Sequence, residues 1–292
     1  MKKLNKKSIL FNISLVLIAI VVLTTAFMAL FVLKPFKEGI GTRAFDLIKV
    51  YQETENVLFY IDQAAKLSAQ QAAYDLALNG GFELDSICGR REDYNIWSTT
   101  DPSIYCYPDN YKEIFKKDLN KNLKKHLSLL RSDKFIEFTK EFSIYPYNLT
   151  PADYEIVFVN KSIVGIPDRY AQTNFYYGRG SAKPIVGKYI INPSFNINFG
   201  YNTDEYKIIR DQAIDLIRGC SQQADLIKCI NQSLPFLWTL GSCDGIIKGN
   251  EQQRFFRFCA KSNSKVLVYN SEKGSIGLEP IAYRFALYFP IQ

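Results

Sequence analysis

The sequence holds a single histidine, His126, with only two methionines and two tryptophans among 292 residues. One imidazole excludes any multi-histidine metal site. The cysteines contain no Cys-x2-Cys spacing and lie far from His126 along the chain, which argues against zinc. His126 sits in Lys124-Lys125-His126-Leu127, the setting of a solvated helix position. No Gly-x-Ser-x-Gly elbow is present. The stretch Gly178-Arg179-Gly180-Ser181-Ala182-Lys183 lacks the glycine spacing and the Lys-Ser/Thr ending of a phosphate loop, and between two strand-like runs it reads as a hairpin turn. There is no internal repeat and no low-complexity segment. These absences predict no catalytic constellation, no cofactor and no metal.

A surplus of charge is also missing once its position is considered. The formal charge is +7, but Lys2, Lys3, Lys6 and Lys7 precede residue 8 with no acid among them. Removing those four from 36 basic residues leaves 32 against 29 acidic ones, a net of +3. A balance so near neutrality gives no footprint for nucleic acid.

What the chain does have is Ile9 to Leu33, 25 residues without a charge. At about 1.5 Å per residue this run is long enough to cross a hydrocarbon core of about 30 Å. The expectation is therefore a transmembrane helix over 9–33 in contact with the lipid bilayer. The basic leader, 1–8, would stay cytoplasmic, and everything beyond the helix would be extracellular. A cleaved secretory signal has a shorter apolar region, so the segment reads as an uncleaved anchor.

Six cysteines follow the apolar run: Cys88, Cys106, Cys220, Cys229, Cys243 and Cys259. Their even number suits disulfides in an oxidising compartment. They admit 15 pairings, of which the neighbour-to-neighbour set is the one expected. A continuous helix would hold Cys220 and Cys229 about 13 Å apart, whereas a disulfide needs Cα atoms about 4.4–6.8 Å apart. If they are joined, the chain must reverse near Ser221-Gln222-Gln223.

Lys34-Pro35, Gly39 and Gly41 predict a brief interruption, followed by a helix from Thr42 to Leu78. Within it Val57, Ile61, Ala64, Ala65, Ser68, Ala72 and Leu76 recur every three or four residues, an apolar stripe whose small members Ala64, Ala65, Ser68 and Ala72 would let another backbone pack closely. Asn79-Gly80-Gly81 is the helix stop. Residues 34–80 thus form the predicted helical stem, and 81–292 the predicted extracytoplasmic α+β domain, a mixed helix and antiparallel-sheet head with disulfides.

Within that head, 82–109 reads as a stapled loop and 110–142 as a helix with a lysine face (Lys112, Lys116, Lys117, Lys121, Lys124, Lys125). Strands are predicted at 154–164, 173–177, 184–191 and 194–201. In the last, Phe195, Ile197, Phe199 and Tyr201 alternate with Asn196, Asn198 and Gly200, the period of a half-buried strand. A helix begins near Asn202 or Thr203, where Glu205 could satisfy a free amide, and ends at Gly219; a second runs over 224–233. Strands close the chain at 254–260, 266–269 and 282–289. Asp211 and Asp215 lie one turn apart, with Asp204 and Glu205 at the helix start, where the dipole favours acids. Most of the aromatics read as core or strand-face residues; the alternative is that Trp97, Tyr105 and Tyr107 form an exposed aromatic platform for sugar rings. Asn148, Asn160 and Asn231 head glycosylation triplets.

In layout, residues 1–80 resemble the type IV pilin-like proteins of archaea and bacteria: a basic leader, an apolar helix, an amphipathic extension, then a disulfide-bearing α+β head. The resemblance implies a component of a pilus-like or other cell-surface assembly, with protein partners or self-assembly through the stem helix. The alternative from the residues themselves is a surface ectodomain that binds or senses glycan or peptide.

Overall fold

A computed structural model describes residues 6–99, 101, 104, 106–129, 154–159, 162–168, 171–176, 185–243, 254–271 and 274–290, with 6–17, 29–47, 49–50, 53, 171–176, 185–189 and 191 described by backbone alone. The chain divides into two compact units, Met1–Asn56 and Val57–Gln292. The helix α1 (Lys6–Leu78) has residues in both.

In the first unit the backbone is helical through Pro35, Gly39 and Gly41, where an interruption was expected. A proline removes one backbone donor and each glycine weakens the helix by about 1 kcal/mol, and the turns on either side carry the helix through. The expectation of a transmembrane helix over 9–33 is corrected: among the described residues no helix is long and apolar enough to cross a membrane.

The second unit mixes helices and sheets and carries three disulfides. Its elements after α1 are β1 (Arg90–Arg91), β2 (Tyr94–Ile96), α2 (Tyr111–Leu129), β3 (Tyr154–Val159), β4 (Ser162–Pro167), β5 (Ala171–Tyr176), β6 (Ile185–Ile191) and β7 (Phe195–Ile197). They continue with α3 (Glu205–Cys220), α4 (Leu226–Ser233), β8 (Trp238–Leu240), β9 (Phe255–Asn270) and β10 (Ser275–Tyr288). The main sheet has the order β1-β2-β10-β9-β8; β3-β4-β7 and β5-β6 form two smaller sheets.

Two departures from the expected strands have local causes. The apolar run 154–164 folds into the antiparallel β3–β4 hairpin rather than one strand, with Val159 opposite Ser162. The three tail strands are two: β9 and β10 pair antiparallel from Ser275↔Asn270 to Tyr288↔Phe255, and a register shift beside Ile281 absorbs the polar stretch 262–264. Sheet pairing is not all antiparallel either, because β2 runs parallel to β10 through Phe285↔Asn95 and Ala286↔Ile96.

The end of α1 follows from its sequence. Gly80 donates to the Ala77 carbonyl and Gly81 to the Leu76 carbonyl, both with positive φ, the paired bonds of a Schellman stop. A Cβ on Gly80 would lie 2.7 Å from the Arg284 carbonyl oxygen, so the turn also brings α1 against β10. Period two holds over 195–201: Phe195, Ile197, Phe199 and Tyr201 are buried and the residues between them exposed.

Candidate functional site

The small-residue stripe of α1 is occupied by the unit's own core. Ala64, Ala65, Ser68 and Ala72 are all buried, the three alanines in one cluster with Phe115, Leu119, Leu123 and Leu127 of α2 and Val266 and Val268 of β9. Hydrogen bonds hold α1 from both sides. Tyr60 donates its hydroxyl to the His126 carbonyl at 2.8 Å. Toward the sheet, the Gln71 amide bonds both backbone groups of Tyr269, and Asn270 Nδ2 donates to the Tyr74 hydroxyl at 3.1 Å. Among the described residues Ser68 Oγ has no hydrogen-bond partner.

The disulfides are Cys88–Cys106, Cys220–Cys229 and Cys243–Cys259, the neighbour-to-neighbour set. Cys220 ends α3 and Cys229 lies in α4, so the reversal at 221–225 brings their Cα atoms to 5.6 Å. Asp225 starts α4 by accepting from the Lys228 amide at 3.0 Å. No cysteine is free.

Trp97 is 0% exposed, its ring stacked on Phe285 at 4.1 Å and its Nε1 donating to the Gly80 carbonyl at 3.0 Å. It is a core residue and cannot present a platform to sugar; Tyr105 lies outside the described residues. Asn95, 1% exposed, was not singled out by sequence reasoning. Its Nδ2 donates to the Asn79 carbonyl at 2.7 Å and its Oδ1 accepts from the Ser86 amide at 2.8 Å, which fixes the cysteine loop to the end of α1. No periodic pattern marks such a residue.

A chain of tyrosines leads from the core to the start of α3. Tyr283 donates to Glu205 Oε2 at 2.9 Å, and Ser262 to Oε1 of the same carboxylate at 2.9 Å. With the Tyr283 hydrogen committed to Glu205, the 2.7 Å contact between Tyr201 and Tyr283 has Tyr201 as donor. Glu205 thus serves two side-chain hydroxyls and not the backbone amide expected of it. Tyr206 stacks on Tyr111 at 4.7 Å and meets Tyr283 edge-on at 4.9 Å, yet its buried hydroxyl has no hydrogen-bond partner among the described residues. Burial raises the phenols of Tyr201, Tyr206 and Tyr283, and burial followed by nearby Asp204 pushes Tyr111 up to about 12.

Several of the remaining titratable groups form surface or interhelical pairs. Asp204 bonds Lys112 at 3.1 Å and Lys207 at 3.4 Å, and the Lys112 hydrogen bond holds its carboxyl below the usual range. Asp211 pairs with its neighbour Arg210. On the lysine face, Lys116 pairs with Glu113 and Lys117 with Glu83. Burial raises Asp75 and Asp118 against partly offsetting lysines. His126 is half-buried rather than solvated, and burial and Lys125 lower its pKa. Among the described residues no group of three or more His, Cys, Asp or Glu side chains could hold a metal ion. The Gly178–Lys183 stretch, Asn148, Asn160 and the end of the helix expected at 110–142 lie outside the described residues; Asn231 is exposed in α4.

This constellation defines a disulfide-stapled α and β unit built around a helix and a long hairpin. No family model, no curated protein and no solved structure matches the chain.

Proposed function

We propose that the chain is a structural component of a cell-surface assembly, pilin-like in the layout of its first 80 residues, with its disulfide-bearing unit outside the cytoplasm. The observation that carries the reading is α1. One face of its 57–78 stretch is buried in a disulfide-stapled fold, whereas at 18–28 it carries Ile18, Ile20, Val21, Val22, Leu23, Phe27 and Met28, each more than half exposed. Large apolar side chains on every side of a helix need a covering surface, and other subunits of an assembly supply one. Three disulfides with no cysteine left over support an oxidising compartment.

Because the 64–72 stripe is already filled, association belongs to the exposed positions. Leu23→Glu should abolish incorporation into complexes purified from the native source while the disulfide-bearing unit keeps its circular dichroism. Assemblies that form normally with Leu23→Glu, or an isolated monomer with an N-terminus intact at Met1, would count against the proposal.

A further inference from the structure

We propose that the outer edge of β10 is a dimer interface, at which two copies of this chain pair antiparallel about a two-fold axis through Gly277.

In an antiparallel ladder each residue points both backbone groups either toward its partner strand or away from it. Tyr269 gives both of its groups to the Gln71 side chain and so points them away from β10. Its partner Ile276 then points its N–H and C=O away from β9, and Leu278, opposite Leu267 two residues on, does the same. Among the described residues no strand pairs with β10 here, since β2 meets it only at Phe285 and Ala286. The two edges of one hairpin are therefore treated differently: the β9 edge is closed at Tyr269 by a glutamine amide, and among the described residues no strand closes the β10 edge at 276–278.

The open edge is complementary to itself in one register. With Gly277 opposite Gly277 of the second copy, each Ile276 faces a Leu278, and these residues exchange N–H and C=O in both directions. Ser275 falls opposite Glu279, so no like charges meet. Pro280 lacks an N–H and ends the ladder. Gly277 suits the axis because a non-hydrogen-bonded pair brings Cα atoms to about 4.5 Å. The apolar face agrees: Leu267 (38% exposed), Tyr269 (54%), Ile276 (72%) and Leu278 (68%) form two cross-strand pairs on the face opposite buried Val266 and Val268. Pairing joins this patch to its symmetry copy. A second copy is the occupant because this register matches hydrogen-bonding groups, apolar rows and charge at once.

The test uses the full chain. A Cβ at 277 meets nothing nearer than Glu279 Oε1 at 3.9 Å, so the position has room for a side chain, and circular dichroism of each variant checks that the protomer is intact. Gly277→Cys should give a disulfide-linked dimer on mild oxidation, and Lys265→Cys should not. This readout is local and distinguishes the edge from any association through residues 18–28. Gly277→Glu surrounds the axis with carboxylates from 277 and 279 of both copies and should weaken dimerisation in sedimentation by roughly tenfold or more. Mixing it with Gly277→Lys should restore a heterodimer. Cross-linking no faster at Gly277→Cys than at Lys265→Cys would overturn the proposal. So would Gly277→Glu that dimerises like the parent chain, or a mixture that does not recover.

Discussion

The side chain of Gln71 bonds the backbone of Tyr269 twice: Nε2 donates to its carbonyl at 3.3 Å and Oε1 accepts from its N–H at 2.9 Å. A primary amide has the donor and acceptor of a peptide group, so Gln71 caps the strand edge as a neighbouring strand would, and does so from α1. Gln71→Leu removes both bonds. At a partly solvated site each is worth about 0.5–1.5 kcal/mol, so thermal unfolding should show a loss of about 1–3 kcal/mol. Amide exchange should rise first at Tyr269. Unchanged exchange there would mean that the edge is held by packing alone.

Gly165 and Phe195 form a second fixed contact. They are register partners in β4 and β7, and a Cβ at 165 would lie 2.2 Å from the Phe195 ring. The ring is buried, 2% exposed, so any shift must be made inside the core. Gly165→Ala should destabilise the protein by roughly 1–3 kcal/mol, the usual range for overpacking. Phe195→Leu in the same chain should recover part of that loss, measured as the denaturant midpoint. A lack of recovery would place the strain elsewhere.

Asn95 links segments with no sequence periodicity of their own. Asn95→Asp keeps the acceptor for the Ser86 amide but exchanges the donor to the Asn79 carbonyl for a second acceptor. Leaving that buried group unpaired costs about 1–3 kcal/mol. Melting should fall accordingly, with proteolysis opening first around the Cys88–Cys106 loop. A variant as stable as the parent would show that water replaces the amide.

What the sequence disclosed and what it hid divide along the range of the interactions. The alternation of Phe195, Ile197, Phe199 and Tyr201 was legible because a strand's two faces are set by neighbours two residues apart. The Gly80-Gly81 stop and the reversal between Cys220 and Cys229 were legible for the same reason, since each is fixed within ten residues. The sequence left Trp97 between core and an exposed platform because its burial is set by Phe285, nearly two hundred residues away. The β9 strand looked like two because Ser262, Asn263 and Ser264 are polar, yet Ser262 serves Glu205. Nothing local marks Gln71 or Asn95, whose partners lie on other elements. The apolar run at 9–33 was legible as composition, but composition does not say what covers it.

Tyr206 poses the sharpest energetic question, because its buried hydroxyl has no partner among the described residues while the neighbouring Tyr201 and Tyr283 spend theirs on a chain ending at Glu205. An unpaired buried hydroxyl costs about 1–3 kcal/mol, so Tyr206→Phe should stabilise the protein by roughly 1 kcal/mol. Tyr283→Phe leaves Tyr201 without its acceptor and should destabilise it by a similar amount or more. The pH dependence follows from the raised phenols. The native state keeps protons that the unfolded chain releases near the ordinary tyrosine value of 10.0. Between that value and the higher native ones the unfolded state binds fewer protons, so stability falls as pH rises. The contribution is complete below pH 10 and is lost as pH climbs through the value of about 12 for Tyr111 and beyond. Phenolate absorbance and circular dichroism should therefore change together in one alkaline transition. Tyr206→Phe, with one raised phenol fewer, should lose stability less steeply. Phenolates of the buried cluster appearing near pH 10 while the fold persists would show that solvent reaches these hydroxyls.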